Sequence, residues 1–318
     1  MPPKISVLVP VLNGGEFLSE CLESILAQDF PDYELLVSDD GSTDDTGAII
    51  ERFATRDSRI RWWRNPVNLG MAANFNRCLQ SAQGDYVKYV MHDDKLTVPT
   101  ALRRMAEMLD QYPSVSLVGS ATQLLDAKSS PLGVRNPFLR TGLCPGRQVI
   151  LKCLTEGGNS IGEPSTVMFR RTQAARGFNQ QFHMIIDLEM WIHFLEQGDF
   201  AYLAEPLSAF RSHPGQFSET GRRTSRHQLE YPQLLAACLA KPWFGREFPK
   251  TALFANIHGM RKWKYPGQAA FASELLKRLD TRWYFLYWLH HKLTRPWKKW
   301  VRRTWPICHP PDDGGEVP

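Results

Sequence analysis

Two pairs of adjacent acids carry the first chemical signal in this chain. His92-Asp93-Asp94 follows the apolar run Asp85-Tyr-Val-Lys-Tyr-Val-Met91, and Asp39-Asp40-Gly41-Ser42 follows Tyr33-Glu-Leu-Leu-Val-Ser38. Neighbouring carboxylates at the end of a buried strand are costly to hold unless a cation neutralises them. A hard divalent ion bridging a diphosphate meets that need, because carboxylate oxygens suit Mg²⁺ or Mn²⁺. Each pair also has a plainer reading. At 93–94 it is a helix N-cap with a solvated acid, and at 39–42 it is the turn chemistry of Asp-Gly-Ser.

The surrounding pattern says what positions these acids. Ile5–Val9, Tyr33–Ser38, Ile60–Trp63 and Asp85–Met91 read as buried strands. Between them, Leu18, Leu22, Ile25 and Leu26 mark one helical face, Ser42 to Asp45 offer caps for a helix through Phe53, and a third helix runs from about Asn68 to Gln83. This β-α-β-α-β-α-β order predicts a mainly parallel sheet with right-handed crossovers. Asn13-Gly14-Gly15, Asp39-Asp40 and Asp93-Asp94 then all follow carboxyl ends of strands, the edge where open α/β sheets bind ligands. Further on, Val98–Gln111 reads as a helix, Val115–Leu125 and Ser165–Arg170 as strands, and Ile186–Glu196 as a helix. Residues 128–164 read as loops with a short helix.

The 318 residues are 43% hydrophobic and 22% charged, a globular composition that excludes a disordered or fibrous chain. Six scattered cysteines form no C-x-x-C pair and read as buried thiols of a reducing compartment. No signal-like or membrane-spanning apolar stretch is evident, so a cytoplasmic setting is expected.

With these motifs in view, the chain resembles family 2 glycosyltransferases. The resemblance rests on Ile5-Ser-Val-Leu-Val-Pro-Val-Leu-Asn13, Leu22-Glu-Ser-Ile-Leu-Ala-Gln28, Val37-Ser-Asp-Asp-Gly-Ser-Thr-Asp44, Asn68-Leu-Gly70, Ala82-Gln-Gly-Asp-Tyr86 and Met91-His-Asp-Asp94, in that order. It covers roughly residues 4 to 218 and implies an inverting enzyme with a glycosyltransferase A-type fold and a nucleotide-diphosphate sugar donor. The resemblance sets Pro10 and Asp40 against the nucleobase with Asp39 beside them, and includes Asn13, Asn68 and Gly70 in the nucleotide-sugar site. Asp93 reaches the ribose or sugar, and Asp94 holds a divalent metal (Mn²⁺ or Mg²⁺), with Asp93 and His213 as further candidate ligands. His92 departs from the common Asp-x-Asp pattern, which leaves the division between Asp93 and Asp94 open, and Phe75 stands where many members carry Arg.

The second half must supply a base to deprotonate the acceptor hydroxyl. Asp187-Leu-Glu-Met-Trp191 resembles the family segment that carries it, so Asp187 is the expected base, with Glu189 as competitor and a helix N-cap as the plainer alternative. Arg211-Ser-His213 resembles a basic loop that closes over the diphosphate, although a lone histidine is commonly structural. Glu163-Pro-Ser-Thr166 is expected to shape the acceptor side.

The net charge of +5 sits in the tail. Residues 281–305 hold seven Lys/Arg, no acid and five of the ten tryptophans, leaving −2 on the rest of the chain. The expected organisation is therefore a catalytic domain at 1–220 and a helical, basic-aromatic extension at 221–318. That composition suits an anionic membrane surface, and equally a helix packed on the catalytic domain with solvated cations. A glycan or lipid-linked glycan acceptor fits either reading. Alternative functions are a non-catalytic sugar-nucleotide binder and a nucleic-acid or membrane binder, but without a basic groove no nucleic-acid partner is expected. A nucleotidyltransferase lacks its cation in Val11-Leu-Asn-Gly-Gly15, and a processive synthase lacks Gln-x-x-Arg-Trp. The full chain is expected to float with anionic liposomes at low salt, and no flotation would remove the membrane reading.

Overall fold

A computed structural model of the chain describes residues 2–218 and 227–244. Ten strands form one sheet in the order β3-β2-β1-β4-β9-β6-β10-β5, with β7 paired to β6 and β8 to β10. Four parallel strands make its first half: β1 (Ile5–Val11), β2 (Tyr33–Asp39), β3 (Ile60–Arg64) and β4 (Tyr86–Tyr89). Their connections are α1 (Leu18–Leu26), α2 (Thr46–Ala54) and α3 (Met71–Ser81). The second half holds β5 (Lys95–Leu96), α4 (Ala101–Gln111), β6 (Val115–Leu125), β7 (Pro131–Arg135) and β8 (Gly142–Cys144). It continues through α5 (Gly146–Glu156), β9 (Val167–Arg170), α6 (Ile186–Leu195), β10 (Asp199–Arg211) and α7 (His227–Leu239).

The parallel half matches the expectation from β-α alternation. The sheet as a whole is mixed, because β9 runs antiparallel to both β4 and β6. Side chains on successive strand residues face opposite layers. Ile5, Val7, Val9 and Val11 therefore enter one core with α1, α2 and α4, while Leu8 enters the other with α3, α5, α6 and α7. In α1 the buried positions are Leu18, Cys21, Leu22 and Ile25, a stripe that explains why this segment is helical. The start of α2 is fixed by Asp44, whose Oδ1 accepts from Thr46 N at 3.1 Å and Thr46 Oγ1 at 2.5 Å.

Residues 128–164 contain β7, β8 and α5 rather than loops with one short helix. The pattern is hard to read because Leu132 and Val134 of β7 are exposed, although they alternate as a strand should. β10 is likewise unexpected. Its run is broken by Glu205-Pro206, where the pairing with β6 shifts register.

The helix α7 lies beyond the domain boundary expected at 220, yet Tyr231, Leu234, Leu235 and Cys238 pack into the same core as α5 and α6. Tyr231 donates to Leu154 O at 2.8 Å, and Glu230 Oε2 accepts the amides of His183, Met184 and Ile185 just before α6. The basic-aromatic segment 281–305 lies outside the described residues. Among the described residues no helix is long and apolar enough to cross a membrane. Cys21, Cys78, Cys153 and Cys238 are free and buried.

Candidate active site

Parallel register brings the first two clusters together: Val11 of β1 stands opposite Asp39 of β2, and Asp40 N donates to Val11 O at 2.8 Å. Asn13, at φ 51°, ties the two loops by accepting Thr43 N at 2.9 Å while its own amide donates to Ser42 Oγ at 2.8 Å. Pro10 is buried at the end of β1. Asp40 is spent on backbone and amide donors: Asn65 Nδ2 at 2.7 Å, Leu69 N at 2.9 Å and Gly70 N at 3.0 Å. Asn68 Oδ1 also accepts Gly70 N. Asp39 keeps more capacity. Its Oδ1 accepts Ser42 N, but the buried Oδ2 has no hydrogen-bond partner among the described residues, with Arg64 Nε 3.6 Å away. Leu12, Val67 and Leu69 leave apolar side chains exposed in the same loops. Of the two acids, Asp39 is thus the one with an oxygen not engaged in a hydrogen bond among the described residues.

At the end of β4 the chain turns so that Asp93 and Asp94 are both buried. Asp93 Oδ2 lies 3.1 Å from His213 Nε2, which the end of β10 delivers. Burial opposes the Asp93 charge, but the His213 hydrogen bond and nearby His92 outweigh it and hold the carboxyl below its usual value. Asp94 accepts Arg211 N at 3.0 Å and a hydrogen bond from Ser165. Burial, then the adjacent Asp93 charge, pushes it well above the usual carboxylate range. His92 packs on Gly14, where a Cβ would come 2.9 Å from the ring. Burial lowers its pKa below the usual imidazole value.

Arg211 is expected to close over a diphosphate, and the structure gives it a different place. Its side chain is 1% exposed and donates to Asp93 O at 2.8 Å, Ser129 Oγ at 2.6 Å and Glu20 Oε2 at 2.6 Å. The guanidinium also lies 4.7 Å from the Phe17 ring centre, and that ring packs against His213. Arg211 is a buried strut for the Asp93–Asp94 loop, with its donors already engaged. Phe75 is likewise internal, stacked on Tyr89.

Asp187 occupies the second position of α6, so it is not the N-cap; that is Ile185. Its Oδ2 accepts Asn159 Nδ2 and its Oδ1 accepts Leu188 N, at 2.8 and 2.7 Å. Burial, with the charge of Glu163 in support, pushes its carboxyl up to about 7 against those hydrogen bonds. Glu189 faces elsewhere and is paired with Arg176 at 3.0 Å.

A short segment joins this acid to the Asp93–Asp94 loop. Gly162 O accepts both Asn159 Nδ2 and Trp191 Nε1. Gly162 has φ +125°, and a Cβ there would meet Thr166 Oγ1 at 2.2 Å, so only glycine fits. Three residues on, Ser165 Oγ accepts Met91 N at 2.9 Å, and Ser165 O accepts the buried Lys88 Nζ. Burial draws Lys88 down to about 7, with Asp94 pulling the other way. Between them, Glu163 is gripped by both terminal nitrogens of Arg135.

The sequence model of glycosyl transferase family 2 matches residues 6–171. The chain belongs to that family. The putative glycosyltransferase EpsE of Bacillus subtilis (strain 168) is 30% identical over 281 residues, spanning 81% of this chain and 94% of EpsE. Two solved structures share the fold of this family 2 glycosyltransferase. S. aureus TarS 1-349 in complex with UDP-GlcNAc superposes with a TM-score of 0.58 at 19% identity, over 81% of this chain and 79% of TarS 1-349. The mannosyltransferase PcManGT from Pyrobaculum calidifontis, in complex with GDP-Man and Mn²⁺, gives 0.53 at 19%, over 94% and 88%.

Sequence reasoning missed the cations and donors that hold the family 2 acids in place. Lys88 left a readable trace, a lone charge inside an apolar strand, whereas Arg135, Asn159 and Glu20 are ordinary polar residues until the fold gathers them. Arg211→Gln is expected to destabilise the enzyme by about 3 kcal/mol in urea unfolding, because it removes the buried donors that brace Asp93 O, Ser129 and Glu20. An unchanged midpoint would contradict the strut.

Proposed function

We propose that this glycosyltransferase moves a single sugar from a nucleotide-diphosphate sugar to an acceptor hydroxyl on a glycan or lipid-linked glycan, with inversion at the anomeric carbon. The observation that carries this reading is the Asp187 carboxyl, pushed up to about 7 and tied through Gly162–Ser165 to the loop that holds Asp93 and Asp94. A base with a pKa near the working pH is well matched to taking a proton from an alcohol as it attacks. The nucleotide sugars bound by TarS and PcManGT support a donor of the same class.

The donor set suits a divalent cation shared with substrate. Asp93 and His213 converge from different strands to 3.1 Å and keep a little exposure, with Asp94 adjacent. Among the described residues no group of three or more His, Cys, Asp and Glu is gathered as a metal site, so protein ligands alone do not make one. Mn²⁺ or Mg²⁺ is commonly bound by one or two carboxylates and completed by substrate phosphate oxygens. When bound, the ion offsets charge on the leaving diphosphate. Asp93, Asp94 and His213 are the proposed ligands, and the Mn²⁺ in PcManGT supports the choice of metal class.

Asp39, through its unpartnered Oδ2, and Pro10 are proposed to meet the base, while Asp40, Asn13, Asn68 and Gly70 shape the loops around it. Asp187 accepts the acceptor's proton, its two fixed hydrogen bonds leaving a lone pair on each oxygen. Asn159 and the Leu188 amide hold that carboxylate in one orientation, and direct attack then inverts the anomeric centre. The setting proposed is the cytoplasmic membrane face, on the composition of residues 281–305.

A group with its pKa raised to about 7 is protonated below that pH and basic above it. kcat/KM should therefore rise with pH through about 7, and Asp187→Asn should lower turnover by roughly 10²–10⁴ while nucleotide affinity persists. Retained turnover in the variant, with the same pH limb, would sink the assignment.

A further inference from the structure

The residue left between the two ends of the site is Glu163. Inversion requires the leaving diphosphate and the attacking hydroxyl on opposite sides of the anomeric carbon, so the transferred sugar must lie between the Asp93–Asp94 loop and Asp187. Gly162 is anchored on the Asp187 side through Asn159 and Trp191, and Ser165 on the Asp94 side through Met91 N. Glu163 lies on the bridge between those anchors, and its charge bears on both Asp94 and Asp187. Its backbone is fixed, since Glu163 O accepts both the amide and the hydroxyl of Thr166.

The carboxylate is fixed as well. Arg135 Nη1 donates to Oε1 at 2.7 Å and Nη2 donates to Oε2, while the two side chains stay 36% and 27% exposed. A guanidinium fork of this kind uses one lone pair on each oxygen and leaves the others free. Those free lone pairs can accept hydrogen bonds from hydroxyl groups. A second negative group arriving here would meet the Glu163 carboxylate with Arg135 already paired, and the Asp94 and Asp187 carboxyls are near enough for the Glu163 charge to bear on both.

We propose that Glu163, held by Arg135, is a specificity-determining residue that accepts hydroxyl hydrogen bonds from the transferred sugar, and that this sugar is a neutral hexose or N-acetylhexosamine rather than a uronate. The proposal rests on the assignment of the two ends of the site made above.

The test uses the full chain with Mn²⁺, in wild-type and Glu163→Gln forms. Donor turnover is measured for UDP-glucose, UDP-N-acetylglucosamine, GDP-mannose, their monodeoxy analogues and UDP-glucuronate. Wild type should prefer its parent donor over one monodeoxy analogue by about tenfold or more in kcat/KM. In Glu163→Gln that preference should fall toward one, UDP-glucuronate should gain relative to UDP-glucose, and affinity for free UDP or GDP should not change. Glu163→Asp, which keeps the charge and shortens the reach, should give an intermediate preference and serves if the glutamine variant fails to fold. Wild-type discrimination in whichever variant folds overturns the proposal. Asp187→Asn assayed alongside reads the proposed reaction separately, so the two ideas fail independently.

Discussion

Like charges brought to one edge of a sheet repel unless each is given a fixed partner, and that constraint organises this molecule. Asp93, Asp94, Glu163 and Asp187 converge from segments that are distant in sequence. Each is answered by a group that the fold delivers for the purpose. His213 and Arg211 arrive at the end of β10, Arg135 at the end of β7, Lys88 in the middle of β4, and Asn159 just after α5. For the buried Asp93 and Asp94, removing a partner leaves a buried polar group uncompensated, which costs far more than an exposed ion pair is worth.

Different partners give chemically similar groups different states. The His213 hydrogen bond holds Asp93 below its usual range, while burial and the Asp93 charge lift Asp94 well above it. Asp187, part-buried and bonded only by neutral donors, is pushed up to about 7 by desolvation. Glu163 is clamped by a guanidinium instead. Environments that separate the pKa values of several carboxyls are how one site divides the work among them.

Much of this arrangement is legible in the amino-acid sequence. The parallel half of the sheet follows from short β-branched runs alternating with helical stripes, and the polar clusters after β1, β2 and β4 announce the ligand edge. What the sequence hides has two physical sources. β10 and β7 are strands whose local pattern is weak, one interrupted by Glu205-Pro206 and the other exposing Leu132 and Val134, so pairing with β6 decides them. The supporting charges are hidden for a different reason. Arg211 reads as a surface cation over a diphosphate, and only its contacts with Glu20, Ser129 and the Asp93 carbonyl reveal a buried strut. The helix α7 likewise joins the catalytic core because Glu230 caps the amides leading into α6, a contact that no motif announces.

The central claim is that Asp93 and Asp94 hold a nucleotide-diphosphate sugar through a divalent ion. Thermal unfolding with a panel of UDP and GDP sugars, with Mn²⁺ and with chelator, tests it most directly. One donor at about 100 times its Kd should raise the midpoint by roughly 5–10 °C with the metal and not with chelator, and Asp93→Asn or Asp94→Asn should abolish the shift. A shift that survives chelation and both substitutions, or no shift with any sugar nucleotide, would contradict the account.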